Sequence, residues 1–371
     1  MEALARARVL QASLFDAGLA GLTWSREYGG QGLPSEYLRI FAEEARGYEL
    51  GTNFFNIAFG MVGPTIAQLG SEDQKSTYLP RMLRGQDTWC QLFSEPGAGS
   101  DVASLQTRAV RDGDEWVIDG QKVWTSGAHR ADFGALLART DPDAPKHQGL
   151  TMFILDMRIN GVTVKPLRQI TGEAQFNEVF FDGARIPIDS VIGEVNGGWN
   201  AAVTMLMNER VAIGAAGGGN DVTAGSFSNV LALAERMGTT KDPVVRQRLA
   251  RVYTLARVLG FVRQRTQDAV KAGRTPGPEG SIAKLLSAEV LQAAADAGTS
   301  IAGVSAQAWA SDDPEGDAWA RGAMSPFIIT IGGGTNEIQR NIIGERVLGL
   351  PKEPQVDRDM PFRELKVGTQ R

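Results

Sequence analysis

The sequence predicts an α+β fold in which helices come first, strands follow and helices return. Apolar residues recur at helical spacing up to about residue 85, and strand-like runs separated by Asp-Gly and Asn-Gly pairs occupy roughly residues 87 to 192. Long amphipathic segments joined by short breaks follow Gly197-Gly198. The pattern therefore indicates an N-terminal all-helical domain at 1–86, a central antiparallel β-domain at 87–194 and a C-terminal helical bundle at 195–371.

Composition narrows the class of protein. With 371 residues, 43% apolar and 22% charged, the chain can bury a large core. The 38 basic residues are outnumbered by 43 acidic ones, so there is no basic field to attract nucleic acid. There is no apolar run long enough to span a membrane and no apolar leader. We expect neither a nucleic-acid partner nor a membrane span.

Cysteine and histidine are scarce. Cys90 is the single cysteine, which rules out an internal disulfide and favours a reducing compartment. His129 and His147 are the only histidines, which leaves little for a metal cluster or a Ser/His triad. We expect a cytoplasmic protein without a metal site.

Local signals support each domain in turn. In the first, Ser71 is a plausible N-cap, with Gln74 placed to complete a capping box. In the second, Asp112-Gly113 lies between strand-like TRAV and EWVI, which predicts a hairpin. In the third, the long helical segments joined by short loops predict a bundle.

One carboxylate falls on an apolar face of the predicted helix that starts near Trp199. At the helical period, Glu209 shares this face with Ala202, Met205, Leu206, Ala212, Ile213 and Ala216. No basic residue lies one turn away. Burial there would favour the neutral carboxyl group, which suits a general base. A structural ion pair with a distant arginine would explain the same pattern.

Three further stretches carry side chains or amides suited to a ligand. FSEPGAGSD, from Phe93 to Asp101, combines hydroxyls with accessible backbone amides, although a plain turn would look the same. It lacks the spacing of a Rossmann dinucleotide site. VWTSG, from Val123 to Gly127, holds an aromatic plane and two hydroxyls, or simply a core tryptophan. GGGTNE, from Gly332 to Glu337, enters a helix whose N-terminus offers free N–H groups, or is an ordinary cap.

Taken together, and in this order, these stretches resemble the acyl-CoA dehydrogenase family over essentially the whole chain. The agreement of separated motifs in one order argues against coincidence. The matching segments are Leu79-Pro80 with Gly85, then FSEPGAGSD, Gly120 with KVWTS at 122–126, Glu209-Arg210, and GTNEIQR at 334–340.

The resemblance implies an FAD flavoprotein whose C-terminal domain is a four-helix bundle, with FAD between the β-domain and the bundle. The residues that match the family's flavin contacts are Phe93, Ser94, Ser100, Trp124, Ser126, Thr335 and Glu337. Ser100 also matches a position near the tail of the acyl-CoA thioester, and Arg210 matches a residue that lines the acyl-CoA channel.

The position of the catalytic base departs from the commoner family pattern. Most members carry a glutamate two residues before the threonine of the last motif, where this chain has Gly333. A minority, including relatives that act on branched or long acyl chains, place it on the bundle helix just before an arginine, as in Glu209-Arg210. The resemblance therefore implies that Glu209 is the base, while the N–H of Gly333 can still bind the thioester oxygen.

The reaction implied is α,β-desaturation of an acyl-CoA thioester. Glu209 would remove the α-proton while a β-hydride passes to flavin N5, and the electrons would leave to an electron-transferring flavoprotein. Two alternatives stay open. One is a flavin monooxygenase or oxidase on the same fold, and the other is a non-catalytic partner subunit that completes a neighbour's FAD site.

Two further departures concern assembly. The family's Arg-x-Phe-Gly, which reaches the FAD of a neighbouring subunit, appears as Arg236-Met237-Gly238, and its Gln-x-x-Gly-Gly is unrecognisable near 301–303. Similar departures occur in sterol-degrading relatives that assemble as two-plus-two heterotetramers. We expect a homo- or hetero-oligomer built as a dimer of dimers.

Overall fold

The order of helices, strands and helices is confirmed. The computed structural model describes residues 2–45, 47–48, 50–215, 226–274, 277–308, 312, 314–355 and 357–366. The chain divides into two compact units. Unit 1 comprises Met1–Gln169, Glu173–Glu209 and Gln355–Arg371, and unit 2 comprises Ile170–Gly172 and Arg210–Pro354.

The first part of unit 1 is helical. Its helices are α1 (Glu2–Asp16), α2 (Glu36–Glu44), a π-helical turn (Ala58–Val62), α3 (Gly63–Leu69) and α4 (Glu72–Leu83). The predicted capping box starts α4: the Ser71 hydroxyl accepts from the Gln74 N–H at 3.2 Å, and the Gln74 side chain accepts from the Ser71 N–H at 3.2 Å. The Gln74 amide also donates to the carbonyl oxygens of Asp189 (2.8 Å) and Val191 (2.9 Å), so the cap ties α4 to the chain that follows the sheet.

A seven-stranded sheet follows, with strand order β1-β4-β2-β3-β7-β6 and β5 paired to β4. The strands are β1 (Trp89–Leu92), β2 (Arg108–Asp112), β3 (Glu115–Ser126), β4 (Phe133–Arg139), β5 (Leu150–Asp156), β6 (Val162–Leu167) and β7 (Phe176–Pro187). The predicted hairpin joins β2 to β3. Gly113 adopts a φ of +61° in its turn, a conformation that favours glycine.

The prediction of a purely antiparallel sheet is wrong, because β1 runs parallel to β4. Most other neighbours are antiparallel, so the sheet is mixed. Parallel neighbours need a long connection, and here the chain passes through β2 and β3 before it returns beside β1 in the same direction.

One core joins the N-terminal helices, one face of the sheet and the first turns of α5 (Gly198–Ala215). Its buried side chains include Val62, Ile66, Met82, Leu137, Met152, Ala202 and Met205. The helix α5 approaches β5 so closely that a Cβ on Gly198 would lie 2.6 Å from the Thr151 backbone. Helices and strands share this core, so it does not separate the domains that we predicted. The predicted domain boundaries after residues 86 and 194 therefore stay predictions.

Unit 2 is helical, as predicted for the C-terminal region. Its helices are α6 (Phe227–Arg236), α7 (Pro243–Lys271), α8 (Gly280–Ala302), α9 (Pro314–Met324), α10 (Pro326–Ile331) and α11 (Asn336–Ile342). The helices α6 to α9 share a core that includes Leu233, Val252, Ile301 and Trp319. Among the helices described in either unit, none is long and apolar enough to cross a membrane.

Residues 357–366, here called the closing segment, return to unit 1. The N–H of Phe362 donates to the Ala144 carbonyl and the N–H of Arg363 to the Pro142 carbonyl, both at 3.0 Å. The Phe362 ring covers the Arg139 guanidinium, which lies 3.6 Å from the ring centroid. The closing segment therefore holds the loop between β4 and β5.

Candidate active site

Trp124 occupies an irregular point near the end of β3. The pairing of β3 with β7 shifts register between Lys122 and Thr125, and Trp124 adopts a φ of +60°. Its side chain is 57% exposed and meets the Phe176 ring edge-on at 5.9 Å. The alternative that Trp124 is a core residue is therefore wrong. A tryptophan in the left-handed region is strained, and such strain often occurs at functional sites.

The bulge at Trp124 is supported from beneath by a buried amide. Asn177 donates its side-chain N–H to the carbonyl oxygens of Thr125 (3.0 Å) and Gln175 (3.3 Å), and its Oδ1 lies 3.2 Å from His129 Nδ1. These bonds hold the backbone next to Trp124 and so support its strained conformation.

The segment that contains Phe93 and Ser94 runs beside this bulge. The N–H of Val123 donates to the Ser94 carbonyl at 2.9 Å, and Lys122 Nζ donates to the Phe93 carbonyl at 2.9 Å. Lys122 Nζ also lies 2.8 Å from a Glu95 carboxylate oxygen. Phe93, Ser94 and Trp124 are thus brought together, and Ser126 follows as the last residue of β3.

The Lys122–Glu95 ion pair is buried, with exposed side-chain fractions of 0% and 8%. Glu95 accepts further hydrogen bonds from the N–H groups of Gln106 (2.6 Å) and Thr107 (2.9 Å). Burial alone would raise the pKa of Glu95, but the Lys122 charge and these hydrogen bonds hold that pKa below its ordinary value. FSEPGAGSD does contain a tight turn, in which Glu95 and Ala98 exchange two backbone hydrogen bonds, but a plain surface turn needs no buried ion pair.

Ser100 is exposed at the end of this loop, and its neighbour Asp101 is fixed. The Asp101 carboxylate accepts a hydrogen bond from the Ser104 hydroxyl and lies 3.0 Å from Lys146 Nζ. Burial opposes ionisation of Asp101, but the bonds from Ser104 and Lys146 outweigh it and lower its pKa. The buried Arg139 guanidinium donates to the Lys146 carbonyl at 2.8 Å, so Asp101 is tied through Lys146 to the loop under the closing segment.

Glu209 lies on α5, where the predicted apolar face is confirmed for its described half. Ala202 and Met205 are fully buried, and Glu209 itself is half-buried. Asn208 anchors the helix, because its amide donates to the Thr65 hydroxyl of α3 at 3.3 Å. The other predicted members of the face, Ala212, Ile213 and Ala216, lie outside the described side chains, as does the side chain of Arg210.

The glycine loop of unit 2 precedes α11. Gly333 and Gly334 have φ values of +66° and +86°, and within the described part of the chain their N–H groups form no hydrogen bond. The Thr335 hydroxyl accepts from the Ile338 N–H at 3.2 Å, so the cap interpretation is confirmed for Thr335. Glu337 is exposed and lies 3.2 Å from Arg340. A hydrogen bond from its own backbone N–H is the main cause that lowers the pKa of Glu337.

Sequence reasoning missed the side chains that hold these loops. Lys122, Glu95 and Gln339 enter the sequence analysis only as letters of motifs, and Lys284 does not enter it. Lys284 Nζ donates to the Gly334 carbonyl at 2.6 Å, and the Gln339 amide donates to the Gly333 carbonyl at 2.8 Å. A signal for Lys284 existed, since it is a charged residue on the buried face of α8 that holds Ser281 and Ala288. The same signal picked out Glu209.

The strained tryptophan, the hydroxyl-rich loop and the glycine loop lie in the three stretches of sequence that match the family's motifs. The chain belongs to the acyl-CoA dehydrogenase family: the family's N-terminal domain matches residues 2–86, its middle domain 90–184 and its C-terminal domain 196–348.

Named relatives support this assignment. The acyl-CoA dehydrogenase IpdE1 of Mycobacterium tuberculosis is 39% identical over 353 residues, which cover 95% of this chain and 90% of the relative. The acyl-CoA dehydrogenase FadE34 of the same organism is also 39% identical, over 92% of this chain, but this chain spans only 46% of its length.

Solved structures agree with the sequence relatives. The Tcur3481-Tcur3483 steroid ACAD has a TM-score of 0.83 and 33% identity, covering 94% of this chain and 90% of that one. The ChsE4-ChsE5 complex from Mycobacterium tuberculosis has a TM-score of 0.77 and 32% identity over the same shares of the two chains. The resemblance to sterol-degrading relatives is confirmed.

Proposed function

We propose that the protein desaturates an acyl-CoA thioester between its α and β carbons, with FAD as the oxidant and Glu209 as the base. The observation that carries this proposal is the half-buried carboxylate on α5 in a chain whose commoner base position is Gly333. A carboxylate can act as a general base, which suits removal of a carbon-bound proton.

The residues beside β3 fit FAD. Trp124 offers an exposed aromatic face, and Ser94 and Ser126 offer hydroxyls next to it. The Thr125 hydroxyl oxygen is buried and has no hydrogen-bond partner among the described residues, so a bound group can supply one. In unit 1, Phe93, Ser94, Ser100, Trp124 and Ser126 would contact FAD. In unit 2, Thr335 and Glu337 match the family's flavin contacts.

FAD, when bound, supplies the two-electron acceptor that desaturation requires. Glu209 accepts the α-proton at its carboxylate. The N–H of Gly333 binds the thioester oxygen, where negative charge develops as that proton leaves. Ser100 and Arg210 contact the acyl-CoA. The N–H at position 333 is a backbone group, so it is present whether the residue there is glycine or the glutamate of most family members.

The relatives suggest the substrate class and the partners. One structural neighbour is a steroid ACAD, so we propose a CoA thioester of a sterol-derived acid as the substrate. We propose an electron-transferring flavoprotein as the electron acceptor. The presence of Glu209 favours a catalytic subunit over a non-catalytic one.

The proposal is tested by anaerobic titration. The purified protein, loaded with FAD, should show a flavin spectrum that bleaches when sterol-derived and straight-chain acyl-CoA thioesters are added in turn. The free acids serve as controls and should leave the spectrum unchanged. Bleaching that instead requires NADPH and oxygen would support the monooxygenase alternative.

Changing Trp124 to Ala should lower the FAD content of the purified protein, because the exposed ring beside Ser94 and Ser126 is lost. The measurement is the ratio of flavin to protein absorbance after both proteins have been loaded with FAD and passed through gel filtration. Val110→Ala is the matched control, since Val110 is exposed on β2 outside the candidate residues. Wild-type occupancy in Trp124→Ala would refute the assigned flavin site.

Expressed alone, the protein should be a flavin-poor dimer that gains FAD and becomes a tetramer when a homologous partner is co-expressed. Tyr253 and Phe261 of α7 and Phe327 and Ile331 of α10 are exposed apolar side chains that fit such association. Light scattering and flavin absorbance report the two changes. A fully flavinated homotetramer from single-gene expression would exclude the heteromer and leave the family assignment intact.

A further inference from the structure

The loop before α11, which we propose contacts the substrate, consists of residues with high backbone conformational freedom. Gly332, Gly333 and Gly334 are consecutive, and glycine loses more backbone freedom on ordering than any other residue. Gly333 and Gly334 nevertheless share one conformation with positive φ values of +66° and +86°. Something outside the loop must fix its shape.

Two buried side chains reach the loop carbonyls. Lys284 Nζ donates to the Gly334 carbonyl at 2.6 Å. The Gln339 side-chain N–H donates to the Gly333 carbonyl at 2.8 Å and to the Gly334 carbonyl at 3.3 Å. Lys284 is only 8% exposed and Gln339 is fully buried. An ammonium at such a site carries a desolvation cost, and its charge-assisted hydrogen bond is correspondingly strong.

These contacts determine which way the loop amides point. A trans peptide is planar, with its N–H opposite its C=O. Because Lys284 and Gln339 draw the carbonyls of Gly333 and Gly334 to their own side, the N–H groups of Gly334 and Thr335 face the opposite side. The Gly333 N–H belongs to the preceding peptide and is constrained through Gly333 itself, whose carbonyl Gln339 holds.

We propose that Lys284 is a positioning residue that fixes the conformation of Gly333, Gly334 and Thr335, and with it the direction of the amides that meet the substrate thioester. The effect of Lys284 on the reaction rests on the proposed desaturase function, whereas its effect on the loop conformation does not. This role also explains how the loop can keep one backbone conformation with glycine at position 333. A larger residue there would restrict the backbone, and here Lys284 on α8 does so instead.

The test compares Lys284→Met, which keeps the length of the side chain and removes its donors, with Lys284→Arg, which keeps a cationic donor. Lys271→Met, at an exposed position of α7, is the matched control. The first readout is hydrogen–deuterium exchange of the backbone amides in a peptide covering residues 332–340, measured by mass spectrometry on the full chain. The second is exchange of the substrate's α-proton with D2O, expressed per bound flavin.

We expect the hydrogen-bonded amides of this peptide, such as those of Ile338 and Gln339, to exchange at least about tenfold faster in Lys284→Met than in wild type. The α-proton exchange should fall by about tenfold or more, as for loss of one oriented amide donor. Lys284→Arg should recover part of both, and Lys271→Met should resemble wild type. A merely structural role would lower flavin loading without lowering exchange per bound flavin.

Amide exchange in Lys284→Met equal to wild type would overturn the proposal. If wild type itself catalyses no α-proton exchange, the proposed function fails, while the amide exchange still decides the role of Lys284. Should Lys284→Met not fold, Gln339→Met removes the other donor to the same carbonyls. It should loosen the same peptide, and unchanged exchange there would count against the anchoring mechanism.

Discussion

Glu209→Gln should lower the rate of flavin reduction by about 10² to 10⁴-fold, the usual loss when a general base is removed. The amide has the shape of the carboxylate but cannot accept the α-proton. Asn208, which anchors this turn of α5 to Thr65, is unchanged, so folding and acyl-CoA binding should persist. The measurement is anaerobic stopped-flow with a thioester that bleaches the wild type.

Glu235→Gln is the matched control, because Glu235 is an exposed helical glutamate on α6. If Glu209→Gln reduces its flavin as fast as wild type, Glu209 is a structural residue. Adding Gly333→Glu to Glu209→Gln tests the commoner base position. We expect only a small recovery, because a glutamate at a φ of +66° is strained.

Lys122→Met should lower the free energy of unfolding by about 3–5 kcal/mol, the typical cost of leaving one partner of a buried ion pair without its counter-charge. Glu95 would keep its two backbone hydrogen bonds, which places the expected loss toward the lower end of this range. Urea denaturation followed by tryptophan fluorescence measures the change. Lys241→Met, at an exposed lysine, should stay within about 0.5 kcal/mol of wild type.

The double variant Lys122→Met, Glu95→Gln should lose less than the sum of the two single changes, because no unpaired charge is then buried. Additive losses would show that the two side chains are not coupled.

Acid should weaken the same ion pair. The pKa of Glu95 is lowered in the folded protein, so its stabilisation is present above the ordinary glutamate pKa and disappears as the pH falls through the folded value. Glu95→Gln should therefore flatten the acid side of a plot of stability against pH. An unchanged acid limb would contradict the assigned protonation.

Local signals predicted local structure well. Ser71 and Gln74 form the capping box, and the turn after Asp112 joins β2 to β3. The direction of β1 could not be predicted in this way. The residues of one strand do not specify which strand it pairs with or in which direction. The pairing of Trp89 with Phe133 depends on where a distant part of the chain returns to the sheet.

The candidate site shows the same division. Motifs and helical periodicity singled out Trp124 and Glu209 as candidates, since their neighbours in the sequence form recognisable patterns. They did not identify the strain at Trp124 or the anchors Lys122 and Lys284. Both anchors act on carbonyls far along the chain, Lys122 on Phe93 and Lys284 on Gly334, and such pairs follow from the fold alone.

The closing segment has a consequence for the order in which the protein matures during synthesis. The ribosome makes the β-strands of unit 1 early, but Phe362, which covers Arg139, is made only after all of unit 2. Until then the Phe362 ring cannot pack on Arg139, which binds the loop that carries Lys146. Lys146 in turn pairs with Asp101, the neighbour of Ser100. Since domains generally fold as they are made, unit 1 must wait for the helices of unit 2 before the surroundings of Ser100 are complete.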